Sequence, residues 1–597
     1  MLNGVFSYHY FQTFAILKIK QYKMTNRSKR IFLGIVMMIT VPVCGMAQSD
    51  STGSPAEKVA PNNWYQLDRA TTGYYGISLD KAYDFVKDKK SHQVLVGVID
   101  NGVDTSHPDL KNILWHNPGE IPGNGIDDDH NGYIDDVYGW NFIGGKDGTN
   151  VHQDSEEASR VYWSLKEKFD NKDIDTTKMD AAQKFEYATY LRAKKTVNDG
   201  VDPAELLQMQ RLLPVMLRGD SIIAKGLGTT EFTGNDLKGY TSTDPEARVA
   251  AAIYLSMAKA NDNYNITNTD VLDDLKGQIR KGEAASTPPK DFRNEIVKDN
   301  PKDINDRYYG NNDVTAGTPS HGTHVTGIIA AERDNGIGMN GIANNVKVMM
   351  ARAVPGGDEH DKDIANAIRY ETDNGAVVIS MSFGKPFSPE KKWVDDAVKY
   401  AQSKGVLLVH AAGNDGKNID TAYNFPNPVY RDKSGEANNF ITVGASGDPT
   451  NGGFTASFSN YGKKSVDLFA PGVNIYSTLP DDKYGNFSGT SMAAPVVAGV
   501  AALILEYYPD LSAQQVKYVI DKSVTPITEK VKLPGSADDS VMLSDISITG
   551  GELNAYKALK LASTLKGERA KGDNGYIMQD ENGKAEANPG KRHKKRA

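Results

Sequence analysis

The clearest pattern along the chain is a series of short apolar runs that end in small or polar turn residues. Residues 94–99 form one such run, and Asp100, Asn101 and Gly102 follow it directly. A continuous apolar run predicts a strand buried on both faces, which is typical of a parallel sheet. Later runs of the same character lie at residues 346–351, 377–381, 406–410 and 440–443.

Apolar residues at helical spacing lie between these runs. They predict helices at residues 325–331, 361–374 and 391–403. Strands that alternate with helices predict an α/β fold with a doubly wound, mostly parallel sheet. In such a sheet the chemistry lies just beyond the carboxyl ends of the strands, which is the predicted position of Asp100.

Residues 151–310 interrupt this alternation. They are rich in Lys, Asp, Glu and Ala, show helical periodicity and contain no strand-like run. Asp202 before Pro203, and Asp244 before Pro245, are typical helix starts. We expect a helical insertion of four or five helices that acts as a lid, a substrate selector or a docking surface. The alternative is that it has no functional role.

The two ends of the chain differ from its middle. Residues 1–47 predict an N-terminal extension and a secretory signal peptide, because basic residues precede the apolar run at 31–43 and small residues follow it. The alternative, a buried core helix, is less favoured, and the run is short for a membrane span. Residues 48–62 predict a linker, and the polar, basic residues 564–597 a disordered tail. The sequence therefore predicts export, to the extracellular space or the periplasm.

Cys44 is the only cysteine, so no intramolecular disulfide can form. Bound calcium is a common substitute for disulfides in stiffening the loops of an exported protein. Cys44 also lies where a lipoprotein carries its lipid anchor, although Val43 is larger than the small residue usual before a lipidated cysteine. A membrane-anchored lipoprotein is therefore the alternative to a freely secreted protein.

The composition indicates which classes of molecule the chain binds. Hydrophobic residues make up 39% and charged residues 24% of the chain, which is ordinary for a soluble globular protein. The formal net charge of -8 argues against a nucleic-acid partner. We expect a monomer that acts on proteins or peptides.

Three short motifs carry residues suited to acyl transfer. Asp100 ends its strand, His321 opens a segment of small residues, and Ser491 precedes a small, apolar helix. Each alone has an ordinary structural explanation, as a turn residue, a helix-opening residue or a helix cap. Together they supply a nucleophile, a base and a carboxylate that orients the base. His324 follows His321 at a spacing that does not fit the zinc helix motif, so we expect it to be structural.

The segments 98–102, 321–324 and 489–493 resemble the three signature blocks of the subtilase family of serine peptidases, family S8, in the order Asp, His, Ser. The resemblance covers residues 63–150 and 311–563. It implies a subtilisin-like fold and an exported endopeptidase that hydrolyses peptide bonds through an acyl-enzyme on Ser491. The alternatives are an inactive, calcium-stabilised binding module and a peptide ligase or cyclase.

The resemblance also implies roles for further residues. Residues 408–416 resemble the segment that carries the oxyanion-hole asparagine, here Asn414. Two stretches resemble the backbone segments that bind extended substrate, and their residues are Ser382, Phe383, Gly384, Ala412 and Gly413.

An acidic loop suggests calcium. Residues 127–132 fit the first part of a calcium-binding loop, but position twelve is Tyr138 rather than Glu, so the loop is not an EF-hand. The alternative is a solvated acidic turn. The resemblance implies a second calcium site at Asp109 and Asn335. The ligands predicted for the first site are Asp127, Asp129, Asn131, Tyr133 and Asp136.

Overall fold

The computed structural model describes residues 60–575 apart from 261–263, 265, 318 and 449–452, and also the short strands Met578–Gln579 and Ala585–Glu586. The predicted signal peptide, Cys44 and nearly all of the predicted linker lie outside the described residues.

A nine-stranded sheet runs through the molecule. Apart from the two short strands after residue 575, the strands of the described chain are, in sequence order, β1 Val94–Asp100, β2 Gly139–Asn141, β3 Val346–Arg352, β4 Val378–Met381, β5 Leu407–Ala411, β6 Phe440–Ser446, β7 Leu468–Pro471, β8 Ile475–Leu479, β9 Lys483–Phe487, β10 Thr525–Pro526, β11 Lys530–Lys532, β12 Ser540–Met542 and β13 Gly551–Glu552. The order in the sheet is β10-β13-β7-β6-β5-β4-β1-β3-β2. Neighbouring strands are parallel from β2 to β13, and only the edge pair β10 and β13 is antiparallel.

Helices cover both faces of this sheet, which confirms the predicted doubly wound α/β class. Val96 and Val98 of β1 pack into one apolar cluster and Ile99 into another, as expected for a strand buried on both faces. The α-helices are α1 Arg69–Thr72, α2 Leu79–Val86, α3 Glu157–Phe169, α4 Ala181–Asn198, α5 Pro203–Leu227, α6 Pro245–Ala260, α7 Asn268–Glu283, α8 Ser320–Ala330, α9 Asp361–Asp373, α10 Lys391–Ser403, α11 Thr490–Tyr507, α12 Ala513–Lys522 and α13 Ala555–Ala562.

Helix α11 is the centre of the core on one face. Its small, apolar residues pack with α8, and α9 and α10 cover the opposite face. Among the described residues it is the one helix long and apolar enough to cross a membrane, but 89% of it is buried inside the protein. Its hydrophobicity is therefore accounted for by core packing.

The segment predicted as an insertion contains α3 to α7. Helices α5 and α6 begin at Pro203 and Pro245, as the capping pattern predicts, and the Asp202 side chain accepts from the first N–H groups of α5. Helices α5, α6 and α7 share an apolar core of their own around residues such as Met216 and Tyr254. Helices α3 and α4 instead pack on Phe387 of the sheet domain.

The start of the predicted tail packs against the sheet domain. Arg569 is buried, and its guanidinium donates to the backbone carbonyls of Gly405, Leu511 and Asn574. Residues 564–575 therefore differ from the expected disordered tail. The reason is that a polar residue that looks solvated in the sequence satisfies buried carbonyls here.

Candidate active site

Asp100 and His321 form a hydrogen-bonded pair. Asp100 is the last residue of β1 and is 1% exposed, and its Oδ1 lies 2.7 Å from Nδ1 of His321. His321 is in the first turn of α8, with 34% of its side chain exposed. A proton on Nδ1 donates to the carboxylate and leaves the lone pair of Nε2 available. The carboxylate thus orients the imidazole and selects its tautomer.

The start of α8 can lie against the turn after β1 because Gly322 has no side chain. A Cβ at this position would stand 2.0 Å from the carbonyl oxygen of Gly102. The N–H of Gly322 donates to Oδ1 of Asn101 over 2.9 Å. The turn after the strand therefore holds His321 against Asp100.

Ser491 lies in the first turn of α11. Its Oγ donates to the carbonyl of Ser382 over 3.0 Å, and the hydroxyl of Ser382 donates to the carbonyl of Ser491 over 2.9 Å. The positive end of the helix dipole favours negative charge near this oxygen. Asp100, His321 and Ser491 line one cavity, so the fold brings together three residues that are far apart in the sequence.

The side-chain oxygen of Asn414 is held by two hydrogen bonds, and its side-chain nitrogen is available to donate. Its Oδ1 accepts from the backbone N–H and from the hydroxyl of Thr490, both over 2.9 Å. Nδ2 of Asn414 and the backbone N of Ser491 each lie 3.5 Å from the point where a Cβ on Gly489 would stand. The N–H of Ser491 is in the first turn of its helix, where no intrahelical acceptor exists. Two N–H donors therefore share one corner of the cavity. The sequence reasoning assigned no role to Thr490, although it stands directly before Ser491.

The predicted substrate-binding segments both contact the first turn of α11, through Ser382 at Ser491 and through the N–H of Gly413, which donates to the hydroxyl of Thr490. Ser382, Phe383 and Gly384 line the cavity, and the carbonyl of Phe383 accepts from Nε2 of His410 over 2.7 Å. Gly413 lines the same cavity, and neither Gly384 nor Gly413 adds a side chain to it.

Ala412 is more enclosed than the other predicted substrate-binding residues. It is buried, its N–H donates to the carbonyl of Val443, and its carbonyl accepts from the amides of Asn424 and Asn460. Both backbone groups are therefore bonded within the protein, and a role of Ala412 in substrate binding stays a prediction. Ala411 is the residue of this segment that lines the cavity beside Gly413.

The cavity itself has a volume of about 1300 Å³ and extends from the sheet domain to the helical segment. Helices α4 and α7 form part of the cavity wall. The residues that these two helices contribute include Arg192, Thr196, Asp270, Asp273, Arg280 and Lys281.

His324 faces away from this chemistry. It is fully buried, its Nε2 donates to the carbonyl of Gly485 over 3.1 Å, and its ring stacks on that of Phe487. Burial lowers its pKa to about 3, so it stays neutral at physiological pH. It packs the helix against the β8–β9 hairpin, as a structural histidine would.

The acidic loop brings three carboxylates together. Oxygen atoms of Glu120, Asp127 and Asp129 all lie within 4.8 Å of one another. Glu120 also accepts from the N–H groups of Asp128 and Asp129, which fixes it against the loop. The sequence pattern missed Glu120 because it precedes the acidic run by several residues.

The other predicted ligands of this loop have different surroundings. Asp136 is buried and accepts from Tyr370, Asn117 and Asn131, and burial raises its pKa to about 7. The amide oxygen of Asn131 accepts from the N–H of Tyr133, whose ring packs among other aromatic rings. Asp136 and Asn131 therefore support the loop through hydrogen bonds, and metal binding by Asn131, Tyr133 and Asp136 stays a prediction.

Asp109 and Asn335 are in direct contact, as their predicted pairing requires. Nδ2 of Asn335 donates to one oxygen of Asp109 over 2.6 Å, while the other oxygen accepts from the Met339 N–H and the Tyr484 hydroxyl. The carboxylate is thus fully engaged by donors within the protein. A calcium ion at this pair stays a prediction.

Comparisons with known proteins agree with this geometry. The model of the Subtilase family matches residues 91–539. The thermophilic serine proteinase of Bacillus sp. (strain AK1) is 43% identical over 186 residues, which is 31% of this chain and 42% of that protein. The major intracellular serine protease of Bacillus subtilis (strain 168) is 38% identical over 224 residues, 37% of this chain and 65% of that protein. Subtilisin DY of Bacillus licheniformis is 38% identical over 207 residues, 34% of this chain and 70% of that protein.

The match covers less than two thirds of the first two relatives' own length. The family model, in contrast, spans the strand that ends in Asp100, the helix that begins beside His321 and the first turn that holds Ser491. The chain belongs to the subtilase family.

Proposed function

We propose that this chain is an exported serine endopeptidase with Asp100, His321 and Ser491 as its catalytic triad. The observation that carries the proposal is the 2.7 Å bond between Asp100 and His321 in the cavity that also contains Ser491. Family membership supports the same reaction class. Export rests on the signal-peptide pattern of residues 1–47.

The reaction follows from the positions of these groups. His321 Nε2 accepts the proton of Ser491 as its oxygen attacks the scissile carbonyl, and Asp100 stabilises the imidazolium that forms. The amide of Asn414 and the N–H of Ser491 donate to the oxyanion. His321 then protonates the leaving amine, and water hydrolyses the acyl-enzyme by the same steps. A binding module would need none of these groups.

Labelling and product analysis separate the candidate functions. A fluorophosphonate probe reacts with an activated serine, so labelling at Ser491 excludes an inactive binding module. Mass spectrometry of the products then distinguishes hydrolysis from ligation or cyclisation. Hydrolysed peptides without joined products are expected.

We also propose that the acidic loop binds a structural calcium ion. Three carboxylates within 4.8 Å of one another form the oxygen-rich donor set that Ca²⁺ prefers. The residues that would hold the ion are Glu120, Asp127 and Asp129. The ion would neutralise their mutual repulsion and stiffen a loop that has no disulfide to hold it.

Calcium removal is expected to destabilise the protein. An ion present at about 100 times its dissociation constant adds about 2.7 kcal/mol to the free energy of unfolding by mass action. Chelation should therefore lower the melting temperature, measured by calorimetry on a Ser491→Ala variant that cannot digest itself. Asp127→Asn should remove most of this response, whereas Asp199→Asn, on the exposed end of α4, should retain it. If chelation leaves the melting temperature of the Ser491→Ala protein unchanged, the calcium proposal is contradicted.

We further propose that the helical segment limits access to the triad. Its helices α4 and α7 line the same cavity as Ser491, so they restrict the space that a bulky substrate can use there. Helices α5, α6 and α7 have their own core and can be removed as one unit. The ends of that unit are close, because a Cβ on Gly200 would stand 3.2 Å from the carbonyl oxygen of Lys281.

Joining Gly200 to Gly282 through a short Gly-Ser linker is expected to favour large substrates. The deletion leaves α3 in place, so the buried ion pair of Glu157 with Lys385 survives. Activity on casein should rise relative to activity on short peptides, because only the large substrate is obstructed. The measurement is the ratio of the two kcat/KM values before and after deletion, with circular dichroism as the check of folding. Equal changes for both substrates would contradict a gating role.

A further inference from the structure

Arg192 on α4 is held against two aromatic rings of the sheet domain. Its guanidinium carbon lies 4.2 Å from the ring centre of Phe387 and 3.8 Å from that of Tyr423. Contact with two rings fixes the plane of the guanidinium and is favourable for a cation. Arg192 therefore has a defined position in the wall of the cavity that contains Ser491.

No acid neutralises Arg192 in the part of the chain that the structure describes. Its Nε is buried without a hydrogen-bond partner, and none of the ion pairs among the described residues includes it. Partial burial lowers its pKa. Two other arginines of the cavity wall are engaged, since Arg280 donates to Gln153 and Arg352 donates to Asn141. A partly buried guanidinium that has ring contacts but no ion pair gains from an anion that reaches it.

Arg192 is connected to the predicted substrate-binding segments through Tyr423 and Asn424. Tyr423 directly precedes Asn424, whose Nδ2 donates to the carbonyl of Ala412 over 3.0 Å. The Oδ1 of Asn424 lies 2.7 Å from the point where a Cβ on Gly384 would stand. Asn424 thus joins the two segments that flank Ser491, and Arg192 stacks on the residue beside it. A substrate side chain near the scissile bond is within the same cavity as the guanidinium.

We propose that Arg192 binds an acidic side chain of the substrate and makes the enzyme selective for Asp or Glu at one position near the scissile bond. This inference rests on the proposed peptidase function. A carboxylate matches the planar, forked donors of a guanidinium. The cavity wall also carries both acidic and other basic residues, so the charge near any one substrate position depends on which of them lies closest. The acidic residues of the wall include Glu156, Glu231, Asp270, Asp273, Glu283 and Asp415.

The test compares peptide pairs that differ only in Asp against Asn, placed at each position in turn on either side of the scissile bond. The parent enzyme is expected to prefer Asp at one position. Arg192→Gln should reduce kcat/KM for that Asp peptide by about 10- to 100-fold, the usual effect of losing a hydrogen-bonded charge, and change the Asn peptide far less. Arg218→Gln, which removes the same charge from the exposed surface of α5, should keep the Asp preference. The Asp preference of the parent should also weaken at high salt.

The possible results distinguish failure of the Arg192 inference from failure of the proposed peptidase function. Equal losses for the Asp and Asn peptides, or no Asp preference at any position in the parent, would overturn the role of Arg192 and leave it a structural contact between α4 and the sheet domain. Failure of the parent to cleave any peptide would overturn the peptidase function instead. In that case, fluorescence anisotropy with Ser491→Ala gives the ratio of Asp to Asn peptide affinities. If Arg192→Gln, made in the Ser491→Ala protein, keeps that affinity ratio, this binding measurement is enough to overturn the inference.

Discussion

Replacing Ser491 with alanine is expected to lower kcat by about a millionfold, as loss of the nucleophile does in subtilisin, a member of the same family. The hydroxyl is the one group of the triad that would form a covalent bond with the substrate, so no neighbour can substitute for it. Among the described residues, the Ser491 hydroxyl donates to the carbonyl of Ser382 and the side chain is part of no apolar cluster. The change should therefore remove activity and leave the fold intact.

Fluorophosphonate labelling, casein hydrolysis and thermal melting measure these effects together. Ser488→Ala is the matched control, because this serine lies just before α11 but its Oγ accepts from the N–H of Asn474. The control should keep its labelling, while Ser491→Ala should lose it without a change in melting temperature of more than a few degrees. Full labelling of the Ser491→Ala protein would contradict the assignment of the nucleophile.

The sheet, and the three residues that we propose as the triad, could be predicted because local patterns encode them. Strands buried on both faces produce continuous apolar runs, and Asp100 stands at the end of one of them. His321 and Ser491 each stand among small residues that let a helix start approach its neighbours closely, as Gly322 shows against Gly102. Such close approach restricts the residue types over several positions, and a restricted string of residues is visible in the sequence.

The residues that the sequence did not reveal depend on contacts between distant segments. Glu120 joins the acidic group only because the loop folds back and the N–H groups of Asp128 and Asp129 bond its carboxylate. Arg192 gains its position from Phe387 and Tyr423, which line the same cavity but belong to a different part of the chain. Nothing in the spacing of α4 indicates which of its faces meets those rings.

Asn414 is intermediate between the residues that the sequence reveals and those that it does not. Its place in a strand-end segment rich in small residues is visible in the sequence, but the reason its amide is oriented is not. Thr490 fixes the orientation, since two of its groups donate to the amide oxygen and leave the amide nitrogen for the cavity. A variant that loses the amide nitrogen of Asn414 therefore tests a different role from one that loses its amide oxygen.

Asn414→Leu is expected to lower kcat by about 100- to 1000-fold with little change in KM, the size of effect measured for the corresponding donor in subtilisin. The amide stabilises charge that exists only in the transition state, so its loss affects turnover rather than substrate binding. Leucine also leaves the N–H of Thr490 without its acceptor, so this variant by itself does not separate catalysis from loop support.

Asn414→Asp makes the separation. An aspartate keeps an oxygen for Thr490 and has nearly the same shape, but it has no N–H to donate and adds negative charge where the oxyanion forms. If Asn414 stabilises the oxyanion, kcat should fall at least as far as in the leucine variant while the melting temperature stays near that of the parent. If Asn414 only supports the loop, the aspartate should restore turnover, because the bonds to Thr490 return. Steady-state kinetics on one short peptide, with kcat and KM determined separately for both variants, decides between an oxyanion donor and a turn residue.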